Sequence, residues 1–245
     1  MRVLVTGSAD GLGRLAAATL LDAGHDVVVH VRNPERRGAV LDLLDRGASV
    51  VVGDLADAGQ TRSVAEQADE FGRMDAVIHN AGVGSGPGVL PVNVVAPYLL
   101  TALMRRPDRL VYLSSGMHRG GRPDLGRIDW TGRGPGSYSD SKLFVTALAL
   151  AVARLWPGVL SNAVDPGWVP TRMGGRGAPD DLRLGHITQE WLATSDDPRV
   201  RTSGGYWHHQ QRAEPHPSAS DRRFQDRLIQ SLAEFTGVRM PGADG

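Results

Sequence analysis

Val3-Leu4-Val5-Thr6-Gly7-Ser8-Ala9-Asp10-Gly11-Leu12-Gly13 opens the chain and decides how the rest folds. The first three residues are a short apolar, β-branched run bounded by glycine, the pattern of a buried strand. From Leu12 onward Leu15, Ala16, Thr19, Leu20 and Ala23 recur at helical spacing, and Gly24 stops the run. Strand, glycine loop and helix in that order begin a βαβ unit of the dinucleotide-binding kind. The glycines allow a tight turn and let the backbone approach a pyrophosphate, which sits on the helix N-terminus. On this reading Gly7, Ser8, Gly11, Leu12 and Gly13 line a cofactor loop. The plainer alternative is an ordinary strand-to-helix turn, and three glycines in seven positions argue against it.

The alternation continues outward from that loop. Val27-Val28-Val29-His30-Val31 reads as a second strand, residues 35–46 as a helix with Val40, Leu41 and Leu44 inward, and Ser49-Val50-Val51-Val52-Gly53 as a third strand. Asp57 caps a helix to about residue 72. Met74-Asp75-Ala76-Val77-Ile78-His79 is a fourth strand, 91–104 a helix carrying Asn93, and Arg109-Leu110-Val111-Tyr112-Leu113 a fifth strand ending in Ser114-Ser115. Further strands are expected at 159–164 and 205–209, with helices at 186–195 and 220–235. Strands alternating with helices imply a parallel, doubly wound α/β sheet, helices on both faces, in one domain. Ligands of such sheets bind beyond the carboxyl ends of the strands. Gly7, Arg32, Asp54 and Asn80 all follow strand ends and so share one edge.

Arg32 stands where NAD sites place an acid, about 20 residues past the glycines. No acid occurs until Glu35, and Asp26 is at the wrong end of the strand. An arginine there suits the 2′-phosphate of NADP(H); NAD(H) is the less favoured cofactor. Arg32 merely solvated at a loop start is the alternative. Asn93 lies among Val92, Val94 and Val95, which argues that its amide is buried and needs a partner.

The second informative stretch is Tyr138-Ser139-Asp140-Ser141-Lys142, opening an apolar run from Leu143 that reads as a buried helix. A spacing of four puts Tyr138 and Lys142 on one helical face. A free tyrosine has a pKa of about 10, and a nearby ammonium favours the phenolate and draws that value down. Such a phenol is a general acid or base suited to a carbonyl or an alcohol. A helix start with an exposed lysine is the bland reading of the same residues.

Composition removes several classes. Among 245 residues Lys plus Arg and Asp plus Glu are both 27, so net charge is zero and gives no sign of nucleic acid or an anionic membrane as partner. There is no cysteine, hence no disulfide and no thiol nucleophile. Glycine follows the first apolar run too soon for a secretory signal, and the stretch from Leu143 to Trp156 is too short to span a bilayer. A soluble cytoplasmic protein is the expectation. His208-His209 is set aside as a metal pair because neighbouring strand residues point to opposite faces, and no Gly-x-Ser-x-Gly elbow is present.

Taken together these motifs resemble the short-chain dehydrogenase/reductases over nearly the whole chain. Thr6-Gly7-x-x-x-Gly11-x-Gly13 resembles their cofactor loop, Asp54-Leu55 their adenine-side pair and Asn80-Ala81-Gly82 their Asn-Ala-Gly motif. Asn93, Ser115, Tyr138 and Lys142 match the catalytic tetrad. Pro166-Gly167 and Thr171, with Val169 between them, match the segment that closes over the nicotinamide. His79 precedes Asn80 where the family often has a second asparagine. The long gap from Ser115 to Tyr138 is similar to the branch containing retinol dehydrogenases and some antibiotic ketoreductases.

The resemblance implies a Rossmann-like three-layer α/β/α fold and an NADPH-dependent carbonyl reductase or the reverse alcohol dehydrogenase. Tyr138 would protonate the alkoxide and Ser115 hydrogen-bond the same oxygen. Lys142 would hold the nicotinamide ribose, and Asn93 would fix a water that relays protons. It also implies a homodimer or homotetramer. The rival class is an NADP-binding regulatory protein without chemistry, against which all four tetrad positions speak; an epimerase or dehydratase is the third reading. Lid segments at about 116–136 and 168–195 would flank a small-molecule carbonyl or alcohol with Met117, His118, Trp168 and Met173, and Trp130 stands in the first of them. Residues 172–183 read as a mobile loop. Trp168 packing on the closing helix is the alternative to its role in the pocket.

Overall fold

A computed structural model describes residues 1–242 of the chain. Its elements run β1 (Arg2–Val5), α1 (Gly11–Asp22), β2 (Asp26–Val31), α2 (Leu41–Asp45), β3 (Ser49–Val52), α3 (Ala58–Glu70), β4 (Ala76–His79), α4 (Ala96–Leu103), β5 (Arg109–Leu113), α5 (Tyr138–Leu155), β6 (Leu160–Asp165), α6 (Leu182–Thr194), β7 (Tyr206–His208), β8 (Gln211–Ala213), α7 (Pro217–Ser220) and α8 (Arg222–Thr236). The strands form one sheet in the order β3-β2-β1-β4-β5-β6-β7-β8. The first seven are parallel, and β8 returns antiparallel to β7.

Because successive strand residues face opposite ways, the valine-rich strands feed two cores. Leu4, Val28, Val77, Leu110 and Tyr112 point to α3, α4 and α5, and Val3, Val5, Val29, Ile78 and Val111 to the α1, α2 and α6 side. The topology reverses between β1 and β4, which opens the crevice where such sheets take ligands. The apolar run 143–152 is buried throughout because α5 is enclosed on both sides, by the sheet and by α7 and α8.

Several elements differ from the sequence reading. The helix expected at 35–46 is a 3-10 turn (Pro34–Val40), capped by the Asn33 side chain, followed by the short α2. Glycine at 38 weakens a continuous helix; Val40 is inward as expected, but it is joined by Leu43, while Leu41 is exposed. Helix α6 begins at Leu182, inside the stretch read as loop. Strand β8 was not foreseen. Its hairpin turns through His209 and Gln210, at φ 45° and 60°, and neither is the glycine or asparagine such turns favour. Trp130, placed in a lid by the sequence, is buried against Phe144 with its Nε1 donating to Ser231 Oγ at 2.9 Å. Its large apolar ring fills the space between α5 and α8.

Candidate active site

The glycine loop lies on the Asn80-Ala81-Gly82 segment. Gly7 has φ +68°, and a Cβ there would come within 2.9 Å of Ala81 Cα. At Gly13 a Cβ would sit 2.2 Å from Asn80 Nδ2. Both positions therefore demand glycine, one for conformation and both for approach. Asn80 Nδ2 donates to the Thr6 carbonyl at 2.9 Å, and Ala81 N–H to Thr6 Oγ1 at 3.0 Å. Thr171 reaches the same loop, 3.6 Å from a Cβ built on Gly11. Ser8 differs from expectation: it is fully buried, with its hydroxyl bonded to the Val5 carbonyl and its N–H to the His30 carbonyl, and neither donor faces a ligand. Arg32 is exposed just past β2. Asp54 follows β3, its side chain accepting from Ala56 N–H, while Leu55 is buried in the core.

Around the opening of α5 the remaining residues converge. Ser137 caps the helix in a reciprocal box with Asp140, which fixes where Tyr138 begins. A Cβ on Gly82 would lie 3.4 Å from Asn93 Oδ1 and 3.7 Å from Lys142 Nζ. Asn93 sits in a π-helical turn (Pro91–Val95) that leads into α4; such bulges are frequent at functional sites. Its buried amide accepts from Val83 N–H (2.9 Å) and donates to the Val83 carbonyl and Ser141 Oγ (both 3.0 Å). Both amide hydrogens are thus committed to tying the end of β4 to α5, so they are not the groups that hold a relay water. Of the serine pair, Ser114 is buried and bonded to Thr146 Oγ1 at 2.6 Å, leaving Ser115 at the site.

Lys142 Nζ is buried, donates to the Leu113 carbonyl at 2.7 Å and lies 5.5 Å from the centre of the Tyr138 ring. Desolvation draws its pKa down to about 8, against the pull of Asp165. The expected depression of the Tyr138 phenol is not what this arrangement gives. Burial raises its pKa, the Ser115 hydroxyl opposes the rise and the Asp165 carboxylate adds to it. At neutral pH Tyr138 is consequently a protonated donor.

Pro166 and Gly167 follow β6, with Gly167 N–H bonded to Asp165 Oδ1 at 3.0 Å. Val169 is buried against Gly185 of α6. Met117, Trp168 and Met173 are exposed at 57%, 59% and 54%, an apolar rim at the carboxyl edge. This rules out burial of Trp168 under the closing helix. The 172–183 stretch folds onto Trp168, whose Nε1 donates to Gly174 O (2.8 Å) and whose N–H donates to Asp180 Oδ2 (2.6 Å).

His118, expected against substrate, is instead fully buried. Its Nδ1 donates to the Ser115 carbonyl at 2.8 Å and its Nε2 accepts from His216 N–H at 2.9 Å. With both ring nitrogens engaged in the protein it supports Ser115 from behind. His208 and His209 stack at 3.8 Å because His209 lies in the turn, so strand alternation does not separate them. Among the described residues no group of three potential ligands surrounds a metal position, and no helix is long and apolar enough to cross a membrane.

Two residues at the site lie outside the motifs of the sequence. Asp165 acts on Tyr138, Lys142 and His118 alike, and its only sequence signal is its place before Pro166-Gly167. His30 is the lone polar side chain in a run of valines, a signal that was available.

The short chain dehydrogenase family model matches residues 1–104. Over 98% of this chain and 99% of its own length, the short-chain dehydrogenase chyC of Penicillium rubens is 37% identical. Human retinol dehydrogenase 13 is 26% identical over 98% of this chain and 85% of its own. A blue fluorescent protein from a metagenomic library, solved in complex with NADPH, superposes with a TM-score of 0.70 at 22% identity, covering 84% of this chain and 95% of that one. The chain belongs to the short-chain dehydrogenase/reductase family and is an oxidoreductase of that kind.

Proposed function

We propose that this protein reduces a ketone or aldehyde with NADPH, or oxidises the corresponding alcohol, by hydride transfer with Tyr138 as general acid or base. The observation that carries the reading is the convergence of Tyr138, Lys142, Asn93 and Ser115 at one sheet edge, beside the loop of Gly7, Gly11 and Gly13. The residues present fit a nicotinamide dinucleotide: a glycine loop running into the N-terminus of α1, and Thr171 reaching back to that loop. Bound there, the cofactor supplies the hydride. Tyr138, protonated at neutral pH, donates to the oxygen that gains charge. Ser115 would hydrogen-bond the same oxygen, and Lys142 would carry a positive charge beside it and hold the nicotinamide ribose.

Arg32 supports NADPH over NADH, since its guanidinium would make charge-assisted bonds to a 2′-phosphate. The exposed rim of Met117, Trp168 and Met173 favours a mainly apolar substrate. The test is an oxidation and reduction screen of carbonyls and alcohols with NADPH and NADH in parallel. Turnover with NADPH that vanishes in Tyr138→Phe supports the reading; binding of NADPH with no turnover on any carbonyl or alcohol would replace it with a binding protein.

A further inference from the structure

His30 is nearly fully buried and holds four hydrogen bonds across the cofactor side of the sheet. Its Nδ1 accepts from Gly7 N–H at 3.0 Å, and its Nε2 donates to the Gly53 carbonyl at 2.8 Å. Its backbone N–H donates to Ser8 Oγ and its carbonyl accepts from Ser8 N–H, both at 3.1 Å. An amide N–H can only donate and a carbonyl can only accept, so the two ring bonds leave one tautomer, with the proton on Nε2. Gly7 turns the cofactor loop at positive φ, Gly53 leads directly into Asp54, and Arg32, two residues after His30, lies just past the end of β2.

We propose that His30 is a positioning residue for the dinucleotide: its neutral imidazole braces the glycine loop against the end of β3 and so sets the gap that receives the adenosine half of the cofactor. The role rests on the nicotinamide-cofactor reading above. Without the brace, Gly7 N–H and the Gly53 carbonyl lose their partners in a buried place, and the loop and the adenine-side segment are free to shift independently. Protonation has the same consequence at one end, because an N–H on Nδ1 would face the N–H of Gly7. The groups packed on the ring from the loop side, Gly7 and Ser8, carry no charge. From the β3 side Asp54 and the Gly53 carbonyl favour the cation, and burial, the larger influence, opposes it. The ring pKa is thereby lowered, so the brace is intact above it and lost as pH falls through it.

The experiment is a fluorescence titration of NADPH into the full chain, wild type beside His30→Val, His30→Asn and His30→Gln. His30→Val is expected to weaken NADPH about tenfold, as for a buried pair left unmatched. His30→Asn can keep an acceptor for Gly7 and should recover part of that loss. As pH is lowered from neutral to below the range in which an ordinary histidine titrates, where the lowered ring pKa puts its protonation, wild-type affinity should fall more than that of His30→Asn. The cofactor's own titrating phosphate is common to both and cancels. Nitrogen NMR of the His30 ring without cofactor should show the proton on Nε2; this reading needs no variant and stands if His30→Val fails to fold. Unchanged affinity and pH slope in all three variants, or a proton on Nδ1, overturns the brace. A wild type that binds neither NADPH nor NADH overturns the cofactor reading and the role with it, whatever the tautomer.

Discussion

Two buried imidazoles support the two loops that meet at the site, and they do so with opposite tautomers. His30 accepts at Nδ1 and donates at Nε2, whereas His118 donates at Nδ1 and accepts at Nε2. The brace at His30 ties Gly7, just after β1, to Gly53, just after β3. The brace at His118 ties Ser115 to His216, which lies 98 residues beyond His118. The His30 brace therefore joins elements near in sequence, and the His118 brace depends on the far end of the chain. Damage to the C-terminal segment should reach the chemistry before it reaches the cofactor.

The largest expected effect separates the two sides outright. Tyr138→Phe removes the proposed acid and leaves the glycine loop untouched, so turnover should fall by at least about a hundredfold while NADPH affinity holds. Retained activity on a carbonyl would remove Tyr138 from the mechanism. The raised pKa of Tyr138 adds a sign to this. Carbonyl reduction needs the phenol and should persist through neutral pH. Alcohol oxidation needs the phenolate and should rise with alkali toward that raised value. A rate profile with the opposite slopes for the two directions would contradict the burial argument.

Arg32→Ala tests the other side alone. Its guanidinium is the group proposed to meet a 2′-phosphate, and its loss should narrow the preference for NADPH over NADH by about tenfold, roughly 1.4 kcal/mol, with Tyr138-dependent turnover at saturating cofactor unchanged. Equal wild-type affinity for both cofactors would defeat the assignment.

What the sequence disclosed divides along the same line. The cofactor side was legible because local pattern determines it: β-branched runs, glycine spacing, and Arg32 at a strand end. Burial of Asn93 could be argued from its valine neighbours, and its partners Val83 and Ser141 follow from the fold. The serine side was less legible because long-range packing determines it. Nothing near His118 announces that His216 will fill its Nε2, and nothing near Trp130 announces Ser231. The raised phenol at Tyr138 was misjudged for a related reason. Sequence shows the ammonium one turn away but not the burial that outweighs it.

His118→Asn sharpens the contrast. An asparagine amide can still donate to the Ser115 carbonyl but does not reach His216 N–H. Turnover should drop about fivefold to tenfold, within the cost of one unmatched buried group, with NADPH affinity intact. His118→Leu removes both bonds and should lose more activity together with about 1–3 kcal/mol of stability. A loss of cofactor affinity equal to the loss of turnover would show that the two sides are not held separately.

The smallest effect is expected at the rim. Trp168 is exposed at 59% and its indole is held over the site's edge by Gly174. It lies outside the buried cores, so Trp168→Ala should leave the melting temperature within about a degree or two, as surface substitutions do. What it removes is apolar area available to a substrate, which matters in proportion to the area covered. A bulky apolar ketone should therefore lose severalfold in kcat/KM, a small ketone little, and NADPH affinity should not move. Equal losses for both ketones with unchanged melting would mean that Trp168 acts through the loop it anchors, by way of Gly174 and Asp180, instead of through contact with substrate. In that case Asp180→Asn, which weakens the bond to Trp168 N–H without touching the indole face, should reproduce the same uniform loss.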